Sequence, residues 1–187
     1  FSSLLAIAAA GRALPAKESS AVPTVREKTA GMKHLDGLIP LDWDAKSGRL
    51  YIEIPRIDAE GRSGDFLYAT SLPFGTGSND LGLDRGQVSE GRIVHFERRG
   101  PKVLLVQPNL AFRSSSSDKD EQLAVRQSFA ESVLWGFTVA AESDDGPVLV
   151  DATDFFLHNA HGVADTLTRL KQGTYKVDTT RSAIALD

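Results

Sequence analysis

The chain has 187 residues, 41% hydrophobic and 25% charged, which is enough apolar content for one packed core and argues against a disordered chain. A formal net charge of -4 gives no broad electrostatic grip on nucleic acid or on an anionic membrane. With no cysteine, disulfides, thiolate zinc sites and cysteine nucleophiles are all removed at once.

Leu4-Leu5-Ala6-Ile7-Ala8-Ala9-Ala10 is a short apolar run, well below the roughly 20 residues that span a bilayer. Gly11, Pro15, Ser19, Ser20 and Pro23 come after it. Together they read as the apolar region and cleavage zone of a secretory signal peptide, with a short buried helix as the alternative. Residues 1–36 are therefore expected to be a signal-peptide remnant and flexible tail, with no membrane span. The protein is expected to be exported: periplasmic, outer-membrane-associated or secreted. The chain begins at Phe1, without Met or a basic segment, so its true N-terminus is expected to lie upstream.

Residues 37–187 are expected to form a single domain. Leu38-Ile39-Pro40-Leu41-Asp42-Trp43 and Arg49-Leu50-Tyr51-Ile52-Glu53-Ile54 flank a polar turn ending in Gly48, the pattern of a β-hairpin. In the second arm Leu50, Ile52 and Ile54 alternate with Tyr51 and Glu53, as in a half-buried strand that Pro55 ends. Residues 66–72 form the next strand candidate, with a Gly-rich segment from Phe74 to Gly86 after it. A second hairpin is expected from residues 92–98 and 102–107 around Arg99-Gly100-Pro101, with Ile93 and His95 on one face and Val94 and Phe96 on the other. Residues 122–129 have helical composition, 132–139 are rich in β-formers, and 147–150 are another short strand. One main C-terminal helix is predicted over 154–170, capped by Thr153 or Asp154 and stopped by Gly173. Residues 174–177 and 182–186 have strand character, and the stop at Asp187 in mid-strand reads as a truncated C-terminal end. The predicted class is α+β with β dominant, built from antiparallel hairpins.

Candidate chemistry is sparse. Gly75-Thr76-Gly77 begins like a dinucleotide fingerprint, but Asp80 takes the third glycine position and no helix pattern comes after it. Asn79, Asp80 and Asp84 could offer oxygen ligands to calcium, yet they lack the alternation of a calcium loop. A structural loop, with glycine at left-handed positions and Asp or Asn bonding the backbone, fits better. His158 and His161 are the metal candidates, three residues apart on the predicted helix and flanked by Asp154 and Asp165. They lack both the i, i+4 spacing and the Glu of an H-E-x-x-H protease helix, so an exposed or capping pair is favoured. Asp151 and Asp154 form a carboxylate pair at a strand-to-helix junction, where Asp is more often a cap. Neither His34 nor His95 sits in a context that marks a base, and no G-x-S-x-G elbow occurs. No catalytic and no cofactor-binding residue is assigned.

Several stretches carry a resemblance. Asn79-Asp80-Leu81-Gly82-Leu83-Asp84-Arg85-Gly86-Gln87, Val94-His95-Phe96-Glu97-Arg98-Arg99, Val106-Gln107-Pro108-Asn109-Leu110, Ser128-Phe129-Ala130-Glu131-Ser132-Val133-Leu134-Trp135, Val150-Asp151-Ala152-Thr153-Asp154-Phe155 and Tyr175-Lys176-Val177-Asp178-Thr179-Thr180-Arg181-Ser182-Ala183 are the residues concerned. Over residues 35–187 the sequence resembles the N-terminal domain, of unknown function, of bacterial zinc-dependent, metzincin-like metalloproteases. That resemblance implies an exported parent whose zinc sits on an H-E-x-x-H helix in a later catalytic domain, absent from this chain.

The expected function comes from it: a non-catalytic accessory domain whose partner is the C-terminal protease domain of the same chain. The zinc belongs to the parent, and no cofactor is expected in this fragment. An apolar patch should then be exposed, with Phe155 and Phe156 as the residues to inspect, since adjacent phenylalanines on one helix cannot face the same core. A latency segment using an Asp or His as zinc ligand is a variant of this reading. The alternative is an independent peptide- or glycan-binding module, which would expose some of Trp43, Tyr51, Tyr68 and Trp135 around a concave site.

Overall fold

Alternating apolar residues in short runs, joined by tight turns, give strands that pair with their sequence neighbours first. In the computed structural model, which describes residues 22–55, 57–75, 77, 79–143 and 146–186, this produces one eight-stranded sheet. Its strands are β1 (Lys33–Leu35), β2 (Leu41–Asp44), β3 (Arg49–Ile54), β4 (Phe66–Tyr68), β5 (Arg92–Arg99), β6 (Lys102–Gln107), β7 (Ser132–Glu142) and β8 (Val148–Asp151). The spatial order is β1-β2-β3-β8-β7-β6-β5-β4 and every pairing is antiparallel. The class is α+β with β dominant, as the hairpin signals imply.

Both predicted hairpins are present. In the β2–β3 turn the Asp44 carboxylate accepts hydrogen bonds from Lys46 N (3.0 Å) and Ser47 Oγ (2.7 Å), the local bonding that makes Asp a turn former. Cross-strand register places Leu41 opposite Ile52 and Asp42 opposite Tyr51. In β5, Val94, His95 and Phe96 are all buried, so both faces of this strand are covered at that point.

The main core lies on one face: Ile52, Ile54, Val94, Phe96, Val103, Leu105, Phe137 and Val150. A smaller cluster of Val25, Tyr51, Ala141 and Leu149 lies on the other. Strand β7 serves both, because its register with β8 shifts between Val139 and Ala141. A bulge of this kind inserts one residue and reverses the facing of the residues beyond it, so Val139 packs on the main core and Ala141 in the smaller cluster.

Residues 1–21, including the apolar run 4–10, lie outside the described residues. Residues 22–36, read in sequence as tail, carry structure. Helix α1 (Val25–Thr29) opens with a capping box in which Thr24 Oγ1 accepts from Glu27 N (3.3 Å) and Glu27 accepts from Thr24 N (3.0 Å). Val25 then packs on Tyr51, and β1 closes the sheet edge beside β2. A helix of five residues has no room for the 3.6-residue periodicity to repeat, and a strand of three barely alternates, which is why neither is conspicuous in the sequence.

The single main helix expected over 154–170 is corrected to two short ones, α3 (Thr153–Phe156) and α4 (Val163–Arg169). Gly162 breaks the run by taking a left-handed conformation, φ 64°, which costs glycine nothing and other residues about 1 kcal/mol. Asn159 reinforces the turn, its carbonyl accepting from Gly162 N at 3.2 Å. The longest helix among the described residues is instead α2 (Lys119–Ser128), started by Asp118, whose side chain accepts from Asp120 N. Residues 174–177 and 182–186 form no strand; a single 3-10 turn at Thr179–Arg181 lies between them. The sheet's two edges are β1 and β4, and strand propensity without a neighbouring edge to bond stays unexpressed.

Candidate functional site

The two histidines singled out by spacing do not share a helix. His158 and His161 occupy the turn between α3 and α4. The His158 ring stacks on Phe155, centroids 5.5 Å apart, and lies 5.1 Å from Trp135, while its Nδ1 donates to the Phe155 carbonyl. Among the described residues no group of three potential metal ligands contains either histidine.

The other sequence candidates resolve into structure-holding contacts. In the Gly-rich segment, a Cβ on Gly75 would come within 2.9 Å of Arg85 N, so the loop folds back on itself where only glycine fits. Asp151 accepts from Thr153 N (3.0 Å) at the entrance to α3 and pairs with Arg49 (2.7 Å), so it, rather than Asp154, anchors the junction. Arg98 and Arg99 pair with Glu142 and Glu97. Tyr51 is buried, Tyr68 and Trp135 are half-buried against the core, and Trp43 is half-buried. His95 is 1% exposed, and neither ring nitrogen has a hydrogen-bond partner among the described residues. Its nearest carboxylates, Glu97 at 3.7 Å and Asp65 at 4.0 Å, are too far to bond.

A polar constellation that spacing alone does not reveal sits on β1, β2 and β3. His34 lies directly opposite Asp42, and Asp42 lies opposite Tyr51. Glu53, two residues beyond Tyr51, shares that face because strand side chains alternate with period two. The His34, Asp42 and Glu53 ligand atoms all lie within 4.8 Å of one another. His34 Nδ1 donates to Asp42 Oδ1 at 2.9 Å, and His34 Nε2 lies 3.4 Å from the exposed Asp36 carboxylate.

The electrostatics are unusual for a sheet surface. Asp42 is 2% exposed, and its Oδ2 accepts no hydrogen bond from any described donor. The group facing it is the Glu53 carboxyl, whose pKa is pushed up by burial first, then by the hydrogen bond its protonated form makes to Asp42, and then by the Asp42 charge. His34 is pushed up too, chiefly by its hydrogen bond to Asp42. One imidazole and two carboxylates on rigid strands can share protons or hold a cation. The signal in the sequence was Asp42 between Leu41 and Trp43 and Glu53 between Ile52 and Ile54. It becomes a site only once β1 is known to pair with β2.

A second feature is apolar. Phe155 joins the core through Trp135 and Phe137, ring centroids 5.7 and 5.3 Å away. Phe156 points away and is 49% exposed, as expected of adjacent phenylalanines. It borders a groove lined by Val163, Leu167 and Tyr175. No helix among the described residues is long and apolar enough to cross a membrane.

Comparison with known proteins finds no match among curated proteins and none among solved structures. A family model does match, over β5–β8, the helices α2–α4 and the C-terminal segment, leaving the His34–Asp42–Glu53 strands outside it. On that match, to residues 86–187, the chain belongs to the family described as "Domain of unknown function (DUF5117)".

Proposed function

We propose that this chain is the non-catalytic front module of an exported zinc-dependent metalloprotease, and that it packs on the protease domain of the same polypeptide. The resemblance over residues 35–187 supports the parent. The H-E-x-x-H motif that would hold the catalytic zinc does not occur in this sequence, so no residue here is assigned to that ion.

The observation that carries the packing is Phe156, half exposed beside the groove of Val163, Leu167 and Tyr175. Covering a half-exposed phenylalanine recovers about 1 kcal/mol of transfer free energy, and Tyr175 and Leu170, also exposed, add to the area available. Aromatic side chains of this kind anchor interdomain contacts when a partner supplies the other wall.

The test compares the 187-residue chain with the longer polypeptide. Chelator-sensitive peptidase activity is expected only in the longer one. Amide exchange in α3 and α4 should be slower there, and Phe156→Asp should restore fast exchange. Cleavage by the 187-residue chain alone, or identical exchange at α3 and α4 in both polypeptides, would sink this reading.

A further inference from the structure

We propose that His34, Asp42 and Glu53 form a binding site for one divalent transition-metal cation, separate from any protease zinc. The donor atoms are already gathered: one imidazole nitrogen and two carboxylates within 4.8 Å of one another. His34 Nδ1 and Asp42 Oδ1 are 2.9 Å apart, close to the roughly 3 Å that separates neighbouring ligands on a cation bound at about 2.1 Å. An ion between them therefore needs no strand to move.

The buried aspartate is the second, independent observation. Asp42 is 2% exposed, and with Glu53 ionised its Oδ2 lacks a hydrogen-bond donor among the described residues. A buried carboxylate oxygen left so is costly and calls for a positive partner. Of the cations on this face, Lys28 has its Nζ over the Tyr51 ring, 5.4 Å from the centroid, and Arg49 pairs with Asp151; among the described residues neither makes an ion pair with the cluster.

Chemistry selects the class of ion. Two carboxylates balance a double positive charge, and the imidazole favours zinc, iron or nickel over magnesium and calcium, which prefer all-oxygen sites. With Nδ1 as ligand, the cation replaces the proton that Nδ1 otherwise shares with Asp42, and the remaining His34 proton resides on Nε2, which faces Asp36 at 3.4 Å. A ligating histidine whose other nitrogen faces a carboxylate is the usual outer-shell arrangement of metal sites. The His34 side chain is 46% exposed, so water can complete the coordination and the ion has a path in.

The competing account is a cluster that holds itself together by a proton shared between Asp42 and Glu53. Glu53→Gln separates the two: the amide can still donate to Asp42 Oδ2, preserving the fold, while a ligand is lost. The experiment is calorimetric titration of the 187-residue chain with Zn2+ and with Ca2+, plus absorption spectroscopy of its Co2+ form. Expected are one Zn2+ per chain, little response to Ca2+, and affinity weakened roughly tenfold or more by either Glu53→Gln or His34→Ala. The double variant H158A/H161A should bind as the parent chain does. No Zn2+ binding up to about 1 mM overturns the site. So does a preference for Ca2+, binding that survives both single variants, or binding lost in H158A/H161A.

Discussion

On one face of the sheet Phe96 and Phe137 pack ring to ring at 6.2 Å, both nearly inaccessible to solvent. On the other, along β1–β3, Asp42 is buried to the same depth, held by a histidine and faced by a glutamate. The two regions obey the same alternation, yet their energetics differ in kind. The aromatic region is stabilised by area removed from water and tolerates no loss of volume. The polar region contributes little net stability, and its value lies in fixing which groups meet.

Truncations should expose that contrast. Phe137→Ala is expected to cost about 3–5 kcal/mol in chemical denaturation, since a fully buried ring leaves a cavity that the sheet cannot close. Asp42→Ala is expected to cost less, about 1–3 kcal/mol, from the unpaired groups left behind. If Asp42→Ala proved as damaging as Phe137→Ala, the polar region would be a second core and the comparison would fail.

Thr24→Ala removes half of the capping box and should cost about 1 kcal/mol, seen as faster amide exchange in α1 without change elsewhere. The same box predicts an acid response. Glu27 is held below its ordinary value of 4.5, first by its bond from the Thr24 backbone. A carboxylate whose folded pKa is depressed stabilises the fold above its unfolded value. That contribution is lost as pH falls from about 4.5 through the lower folded value, so α1 should loosen in acid before the main core does, and in Thr24→Ala this step should shrink. Smallest of all, Phe156→Ser should alter the stability of the 187-residue chain by less than about 0.5 kcal/mol, because the ring is already half in water.

The sequence made the hairpins legible because each carries its own turn chemistry within a few residues: Asp44 to Gly48 in one, Gly100 in the other. The long-range joins were not. Nothing in Val148–Asp151 tells it to seek β3, some hundred residues earlier, since a strand's partner is chosen by the whole packed sheet. The helix over 154–170 misled because Phe155, Val163 and Leu167 do fall near one face, while one left-handed glycine decides the matter. His158 and His161 drew attention by being close in sequence. His34, Asp42 and Glu53 escaped it because they are close only through two cross-strand registers.

The outer strands β1 and β4 have a consequence of their own. Each is three residues long, so each rim of the sheet leaves only a few open backbone groups. Lys33, exposed on β1, adds a charge that an incoming strand would have to desolvate. A short rim discourages one copy from annealing to the next and extending the sheet into a fibril, and on the β1 side the charge adds to that. A deletion that removed β1 would uncover the longer β2 beneath it, and turbidity should then accompany the loss of the His34 ligand.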